Sequence, residues 1–478
     1  MGKTYVQGEV LNATDLNASF LELKTLPINP QTATYTLVVS DIGKVISATG
    51  SVDIPASVFA SGSTVSIFNN SSAVINIIQA AGLTLYNAST GVAGSFTLNS
   101  RGICSVIFIN TTTAVLTGVG VSVTASGSLQ GPVGPSSSFL RNRIINGDMR
   151  IDQRNAGTEV NPAVSGSYYL DRWLVAASAA SKFKIGQNAG AVTPPTGYTS
   201  YLGCTSLSAY TVGAAETFNV RQQIEGLNVS DLAWGTASAS TVTLSFWVRS
   251  SLTGTFGGSI RNSGATRAYP YSYTISVANT WEQKTITIAG DTSGTWLTTN
   301  GIGINLNFGL GSGATVSGTA GAWASANYTS ATGATSVVGT NAATWYVTGV
   351  QLEVGTVATP FERQIFSNQL AQCQRYYYFL GGETPYQNIN TVIWYTATEC
   401  VGQFSYPVTM RGVPTVSKTG NWTGLGNGTA GNSINADQIN TKNLQLGALG
   451  GSGGTFGYGT ILRGNNDTSL RVTFSAEL

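Results

Sequence analysis

Trp345-Tyr-Val-Thr-Gly-Val-Gln-Leu-Glu-Val-Gly-Thr-Val-Ala-Thr-Pro-Phe-Glu362 is the stretch that decides the fold. Val350, Leu352 and Val354 alternate with Gln351 and Glu353, so one face of an extended segment is apolar and the other wet. Upstream, Trp345 and Val347 have the opposite parity, and Gly349 sits at the change, where a bulge would move the pattern by one residue. The same alternation recurs as Val242/Leu244/Phe246/Val248, as Ile286/Ile288 and as Ile302/Ile304/Leu306/Phe308, with Gly-, Ser- and Thr-rich stretches between the runs. Many spaced strands with such turns point to a sandwich or jelly roll. A second short sequence, Leu140-Arg-Asn-Arg-Ile-Ile-Asn-Gly-Asp-Met-Arg-Ile151, opens this region. Residues 139–362 are therefore expected to form one β-sandwich, with the two brackets as its first and last strands and Phe246, Phe308 and Trp345 in its core.

Working outward, residues 1–29 hold a short amphipathic helix. Thr14 caps it, Asp15 faces the positive end of its dipole, and Leu16, Phe20 and Leu23 form one apolar stripe. That stripe is expected to dock on another chain or on copies of itself; the alternative is packing back on the next domain. Residues 30–124 alternate as a small β-domain, in which Val106-Ile-Phe-Ile109 reads as a strand covered on both faces. Residues 125–138, rich in Gly, Pro and Ser, read as a semi-extended linker, with Asp41-Ile-Gly-Lys44 an earlier turn. After the sandwich, residues 363–380 are expected to form a connecting helix. Phe366, Leu370, Cys373 and Tyr377 make a heptad-like seam there, either a plain joint or a helix packed on a three-fold axis. Residues 381–478 read as a β tip domain whose middle, 418–460, is loop-like and carries isolated aromatics.

Composition limits the chemistry. Of 478 residues only 9% are charged, against about 25% in an ordinary soluble protein. The net charge is +2, so the surface is built largely from neutral polar groups, while 9 Trp, 20 Tyr and 17 Phe argue for packed cores rather than disorder. A nucleic-acid binder needs a concentrated basic stripe; the nearest cluster, Arg141/Arg143/Arg150/Arg154, is interleaved with Asp148 and Asp152. With no histidine, a Ser-His-Asp or Cys-His centre is excluded, as is a mixed Cys/His metal site. Cys104, Cys204, Cys373 and Cys400 lie far apart and read as small buried residues. Gly301-Ile-Gly and Gly309-Leu-Gly-Ser-Gly read as turns rather than phosphate loops. No signal peptide, membrane span, cofactor motif or calcium-loop spacing is recognised. The carboxylates nearest to a hydrolytic pair are Asp148, Asp152 and Asp171, and they do not form a convincing constellation.

Aromatics are more informative. A sugar ring presents C–H faces that stack on aromatic rings, and neutral amides and hydroxyls hydrogen-bond its hydroxyls. Loop aromatics in the tip, Tyr386, Trp422, Phe456 and Tyr458, are the candidate glycan contacts.

With these residues laid out, the chain resembles a tailed-bacteriophage tail fibre. Leu11-Asn-Ala-Thr-Asp-Leu-Asn-Ala-Ser-Phe20 is similar to the attachment helix of such fibres, and Asp41-Ile-Gly-Lys-Val-Ile46 with Asp53-Ile-Pro55 and Ser66-Ile-Phe-Asn69 looks like a recurring β-module. Asn142-Arg-Ile-Ile-Asn-Gly-Asp-Met149, Tyr169-Leu-Asp-Arg-Trp173 and Val350-Gln-Leu-Glu-Val-Gly355 resemble a fibre domain with a carbohydrate-binding-module-like jelly roll. Gln374-Arg-Tyr-Tyr377, Pro407-Val-Thr-Met-Arg411 and Phe474-Ser-Ala-Glu-Leu478 resemble a fibre tip. The resemblance implies an elongated homotrimer in the virion. Its N-terminus would be held by a tail or baseplate protein, and its tip would adhere to host surface polysaccharide or lipopolysaccharide, without catalysis, cofactor, metal, nucleic acid or membrane insertion. The competing readings are a tailspike-type depolymerase that cuts the polysaccharide, and a bacterial surface adhesin.

Overall fold

The computed structural model describes residues 26–88, 91–123, 141–163 and 166–478. The Leu16/Phe20/Leu23 stripe and the 125–138 linker lie outside the described residues. The chain is mainly β and divides into two compact units, Met1–Ser137 and Ser138–Leu478. Among the described residues no helix is long and apolar enough to cross a membrane.

The first unit is a nine-stranded mixed sheet built around the long strand Phe96–Asn110. One half of that strand pairs with Ile75–Gln79 and the other with Thr64–Asn69, across a register break between Leu98 and Ile103. Strict alternation in Thr64–Asn69 buries Val65 and Ile67, and the Phe59 and Phe108 rings stack at 4.3 Å beneath them. The Val106–Ile109 run is not covered on both faces, as expected from its continuous apolarity. Val106 and Phe108 are buried, while Ile107 and Ile109 are 37% and 51% exposed. The pleat sends neighbours to opposite faces, and only one face here has a core against it.

In the second unit two antiparallel sheets face each other as a jelly roll. One has six strands, in the order Ser167–Leu170, Trp173–Ala177, Thr217–Glu225, Ile302–Ser312, Gly254–Arg261 and Ala268–Ile275. The other has five: Phe183–Gln187, Leu202–Ser206, Thr344–Val354, Val242–Ser250 and Glu282–Ile288. The apolar parities read from sequence meet between them. Phe246, Phe308 and Trp345 are fully buried, with Phe308 5.0 Å from Phe246 and 5.6 Å from Trp345. The expected bulge is present at Gly349, whose φ is +62°, and the register against Val242–Ser250 slips there.

The opening bracket is not a strand. Residues 141–151 are irregular, and they clasp the closing strand through side chains and two backbone bonds, Arg143 N–H to Leu352 O and Val350 N–H to Gly147 O. Asn142 Oδ1 accepts the N–H of Ile144 and of Leu352, and its Nδ2 donates to Val350 O. Asn146 ties Ile151 and Asp171 in the same way, and its carbonyl accepts from Trp173 Nε1 at 3.0 Å. Two asparagines thus satisfy backbone groups that a ladder would otherwise pair. The Asn-Arg-Ile-Ile-Asn motif is a structural clasp.

The helix after the sandwich spans Phe366–Gln374, shorter than the expected 363–380. Tyr377–Leu380 is a strand instead, pairing with Arg471–Ser475, because Tyr378 stacks on Phe474 with ring centroids 6.0 Å apart. Tyr377–Leu380, Arg471–Ser475 and Thr415–Thr419 make a three-stranded sheet, and six further strands make the second sheet of this region. Segment 418–460 is not loop-like: Trp422–Gly426, Ser433–Asp437 and Asn443–Leu449 are strands within it. Their Gly and Asn content hid them, since their ladders are held by backbone pairing with little apolar alternation to show for it.

Candidate functional site

The outer face of the six-stranded sheet carries the most developed polar site. Val220, Ile224, Ile260, Leu306 and Phe308 point into the core, so residues of the other parity face outward. Register aligns them in two rungs across three strands: Arg221 opposite Asn307 opposite Ser259, and Gln223 opposite Asn305 opposite Arg261. The arginines stand at diagonal corners. Arg221 Nε donates to Asn307 Oδ1 at 2.6 Å, and Asn307 Nδ2 donates to Ser259 Oγ at 3.1 Å. Gln223 Nε2 donates to Asn305 Oδ1 at 3.3 Å and its oxygen accepts from Tyr168 Oη at 3.0 Å. Arg261 donates to Asn327 Oδ1 from the far wall.

That wall exists because of glycines. A Cβ on Gly257 or Gly309 would lie 2.5 or 2.7 Å from Ser330 Oγ. Without one, the segment carrying Asn327 and Thr329 lies against the sheet, and Thr329 Oγ1 meets Thr217 Oγ1 at 2.9 Å. Gly309 and Gly311, expected in turns, are strand residues, and Gly309 permits this approach while Gly311 admits Val338 and Ser336. The result is a groove of about 480 Å³, with Tyr168 at one side and Leu478 beside it. Such a volume falls in the usual range of ligand clefts, roughly 300–1,000 Å³.

The groove is electrostatically unbalanced. Neither Arg221 nor Arg261 has an acidic partner among the described residues. Burial, then the like charge of Arg261, pushes Arg221 down to about 9, and burial pushes Arg261 down to about 10. Arg261 Nε and Asn219 Oδ1, on the same face, are buried without a hydrogen-bond partner. Burial also pushes the Tyr168 phenol up to about 12, against the opposing charge of Arg172.

Of the tip aromatics, three are on the surface and one is not. Tyr386 is 52% exposed, Phe456 75% and Tyr458 61%, whereas Trp422 is 3% exposed. Trp422 Nε1 donates to Gly431 O at 2.7 Å and its ring packs in the tip core, so it presents no face to a sugar. Phe456 and Tyr458 ride on a glycine-rich turn laid over buried Trp394; a Cβ on Gly454 would sit 2.1 Å from that ring. The outer face of the tip sheet holds a second hollow of about 540 Å³ between Thr391, Ile393, Val401, Gln403, Gln438 and Gln445.

The helix seam is divided. Phe366 is half exposed and Leu370 partly buried, but Cys373 and Tyr377 are buried within this chain. They face its own interior and are not free for a partner helix. Cys104, Cys204, Cys373 and Cys400 are all buried and unpaired, as expected.

The three acids have structural partners. Asp148 lies 2.5 Å from Arg150 Nε. Asp152 closes a turn by accepting the N–H groups of Arg154, Asn155 and Gly157. Asp171 accepts both the N–H and Nε2 of Gln153 at 2.6 Å, and burial pushes its carboxyl up to about 6.

Sequence reasoning missed Tyr168, Arg221 and Arg261. The signal was present as the polar parity Arg221/Gln223 and Asn305/Asn307, interleaved with the apolar residues that mark the core.

No protein-family model matches the chain, and no curated protein matches it. Solved structures similar to it include the enzymatically active domain of tailspike protein 4 of bacteriophage CBA120, at 13% identity and TM-score 0.26, over 45% of this chain and 22% of that one. A structure described as CBM4 is 13% identical with TM-score 0.24, over 44% of this chain and 98% of that one. A family 11 carbohydrate-binding module from Clostridium thermocellum, in complex with a mixed-linked tetrasaccharide, is 12% identical with TM-score 0.22, over 42% and 98%. At these TM-scores the likenesses carry no argument about what this chain does.

Proposed function

We propose that this chain is a receptor-binding protein of the tail-fibre kind, and that its jelly roll holds a cell-surface glycan in the groove over the six-stranded sheet. The observation that carries the reading is the pair of polar rungs. Guanidinium, amide and hydroxyl groups of Arg221, Arg261, Gln223, Asn327, Thr329 and Tyr168 line a cleft of about 480 Å³, braced from beneath by the buried Ser259, Asn305 and Asn307. Sugars are recognised by such convergent donors and acceptors, with a ring as a stacking wall. Tail attachment through residues 1–29, a homotrimeric state and a place in the virion rest on the sequence resemblance. The half-exposed Phe366 and 72% exposed Ile365 are apolar surface that a trimer would cover. Three copies would hold a particle through sites that are individually weak.

We further propose binding without cleavage. Asp148, Asp152 and Asp171 are engaged by Arg150, by a turn and by Gln153, which supports a structural role for these carboxylates. The test is incubation of the full chain with intact host cells and purified surface polysaccharide, reading bound protein and released reducing ends. Bound protein without new ends is expected. Absence of binding to either overturns the glycan reading, and shortened polysaccharide overturns the non-enzymatic one.

A further inference from the structure

We propose that the groove is built for an acidic sugar, whose anionic group sits between Arg221 and Arg261. The inference rests on the glycan reading of this groove and names the class of glycan. Arg221 and Arg261 stand on rungs separated by two residues along each strand, at opposite corners of one polar floor. Their protein partners are neutral: Asn307 for Arg221 and Asn327 for Arg261. Fully buried Arg172, by contrast, has Glu477 beside it, and the half-buried Arg267 has Asp291 at 2.6 Å.

Two cations held together in a partly dry cleft repel one another and lose hydration. Burial lowers the affinity of both guanidiniums for their protons, and the like charge of Arg261 lowers that of Arg221 further. A chain that is only 9% charged has placed two like charges where neutral residues would have served the fold. An anion entering the cleft would relieve both terms and use the guanidinium donors that Asn307 and Asn327 leave free. The shape of the fork suits a planar carboxylate, as on a hexuronic acid. A phosphate substituent on a sugar offers the same charge and acceptor oxygens. Ring hydroxyls beside the anion would meet Gln223 and Tyr168 Oη, which already face each other at 3.0 Å.

The experiment uses the full chain and a panel of oligosaccharides from hexuronate-containing bacterial polysaccharides. Each is set beside its carboxyl-reduced form, together with phosphate-substituted and plain neutral oligosaccharides. Acidic members are expected to bind at least about tenfold tighter than their reduced forms, equivalent to about 1.4 kcal/mol. Their affinity should fall as salt rises from about 50 mM to about 500 mM. Arg221→Gln and Arg261→Gln should each abolish the preference, and thermal melting checks that they fold. Arg261→Lys keeps the charge and should retain part of the preference even if the glutamine variants fail. Binding confined to phosphate-substituted members assigns the anion as phosphate. If neutral and acidic forms bind alike and the arginine variants match the parent, the acidic-sugar inference is wrong and the glycan reading stands. If no member binds the intact chain, both fail.

Discussion

The guanidinium of Arg172, 1% exposed in the sandwich, is paired with the carboxylate of Glu477 at the far end of the sequence. Arg154 holds the other oxygen of Glu477 at 2.6 Å. The two guanidiniums lie over the rings of Tyr376 and Tyr377, at 3.6 and 3.8 Å from their centroids. Nearby, Glu225 accepts from Arg375 Nη2 at 2.7 Å and from Tyr376 Oη at 2.5 Å. This buried network docks the C-terminal sheets onto the jelly roll, and it passes beside Tyr168 at the groove.

Glu477→Gln leaves the Arg172 charge buried without its acidic partner. A loss of about 3 kcal/mol is expected, since breaking a buried pair from one side costs roughly 3–5 kcal/mol. Chemical unfolding of the full chain checks it. The Arg172→Met/Glu477→Met double variant should recover part of the loss, because the most buried charge goes with its partner and only Arg154 is left unpaired.

Asp171 sets a pH dependence of definite sign. Burial raises its carboxyl to about 6 from 3.8, so between those values the folded state holds a proton that the unfolded state has released. Its contribution to stability is therefore present below about pH 4 and is lost as pH rises to about 6, by at most about 3 kcal/mol at 1.36 kcal/mol per unit. Asp171→Asn should flatten that component of the stability–pH curve. A variant whose curve parallels the parent across this window would show that Asp171 is not its source.

Gly349 marks where the sequence was legible in detail. Its place between two opposite apolar parities identified the bulge, and the structure gives it φ +62° with Tyr198 Oη 2.6 Å from where a Cβ would lie. Gly349→Ala should cost about 1–3 kcal/mol from backbone strain and collision together, read by thermal melting.

The sandwich was readable because one parity of each strand is apolar, as in Ile302–Phe308, although Asn305 and Asn307 of the other parity are buried as well. The opening bracket was not: Asn142 and Asn146 replace a ladder with side-chain bonds, which period-2 apolarity does not register. Trp422 failed as a site residue for a similar reason. Its glycine-rich surroundings looked like a loop, yet Trp422 opens a strand and its Nε1 donates to Gly431 O inside the tip core. The groove is not marked by aromatic residues, because its chemistry lies on the polar parity of strands whose apolar parity faces the core.

Gly454→Ala separates the tip from the groove. A Cβ there collides with Trp394, so the turn carrying Phe456 and Tyr458 must shift. Tip stability should fall, seen as an earlier unfolding step, while glycan affinity at the sandwich stays within about twofold of the parent. A matching loss of affinity would move the binding site to the tip.

The most direct measurement is calorimetric titration of the full chain with host surface polysaccharide fragments, comparing Gln223→Ala with the Phe456→Ala/Tyr458→Ala pair. If the groove holds the glycan, Gln223→Ala weakens binding by about tenfold or more, near 1.4 kcal/mol, and the tip pair binds like the parent. Loss confined to the tip pair, with Gln223→Ala unchanged, would contradict the assignment of the groove.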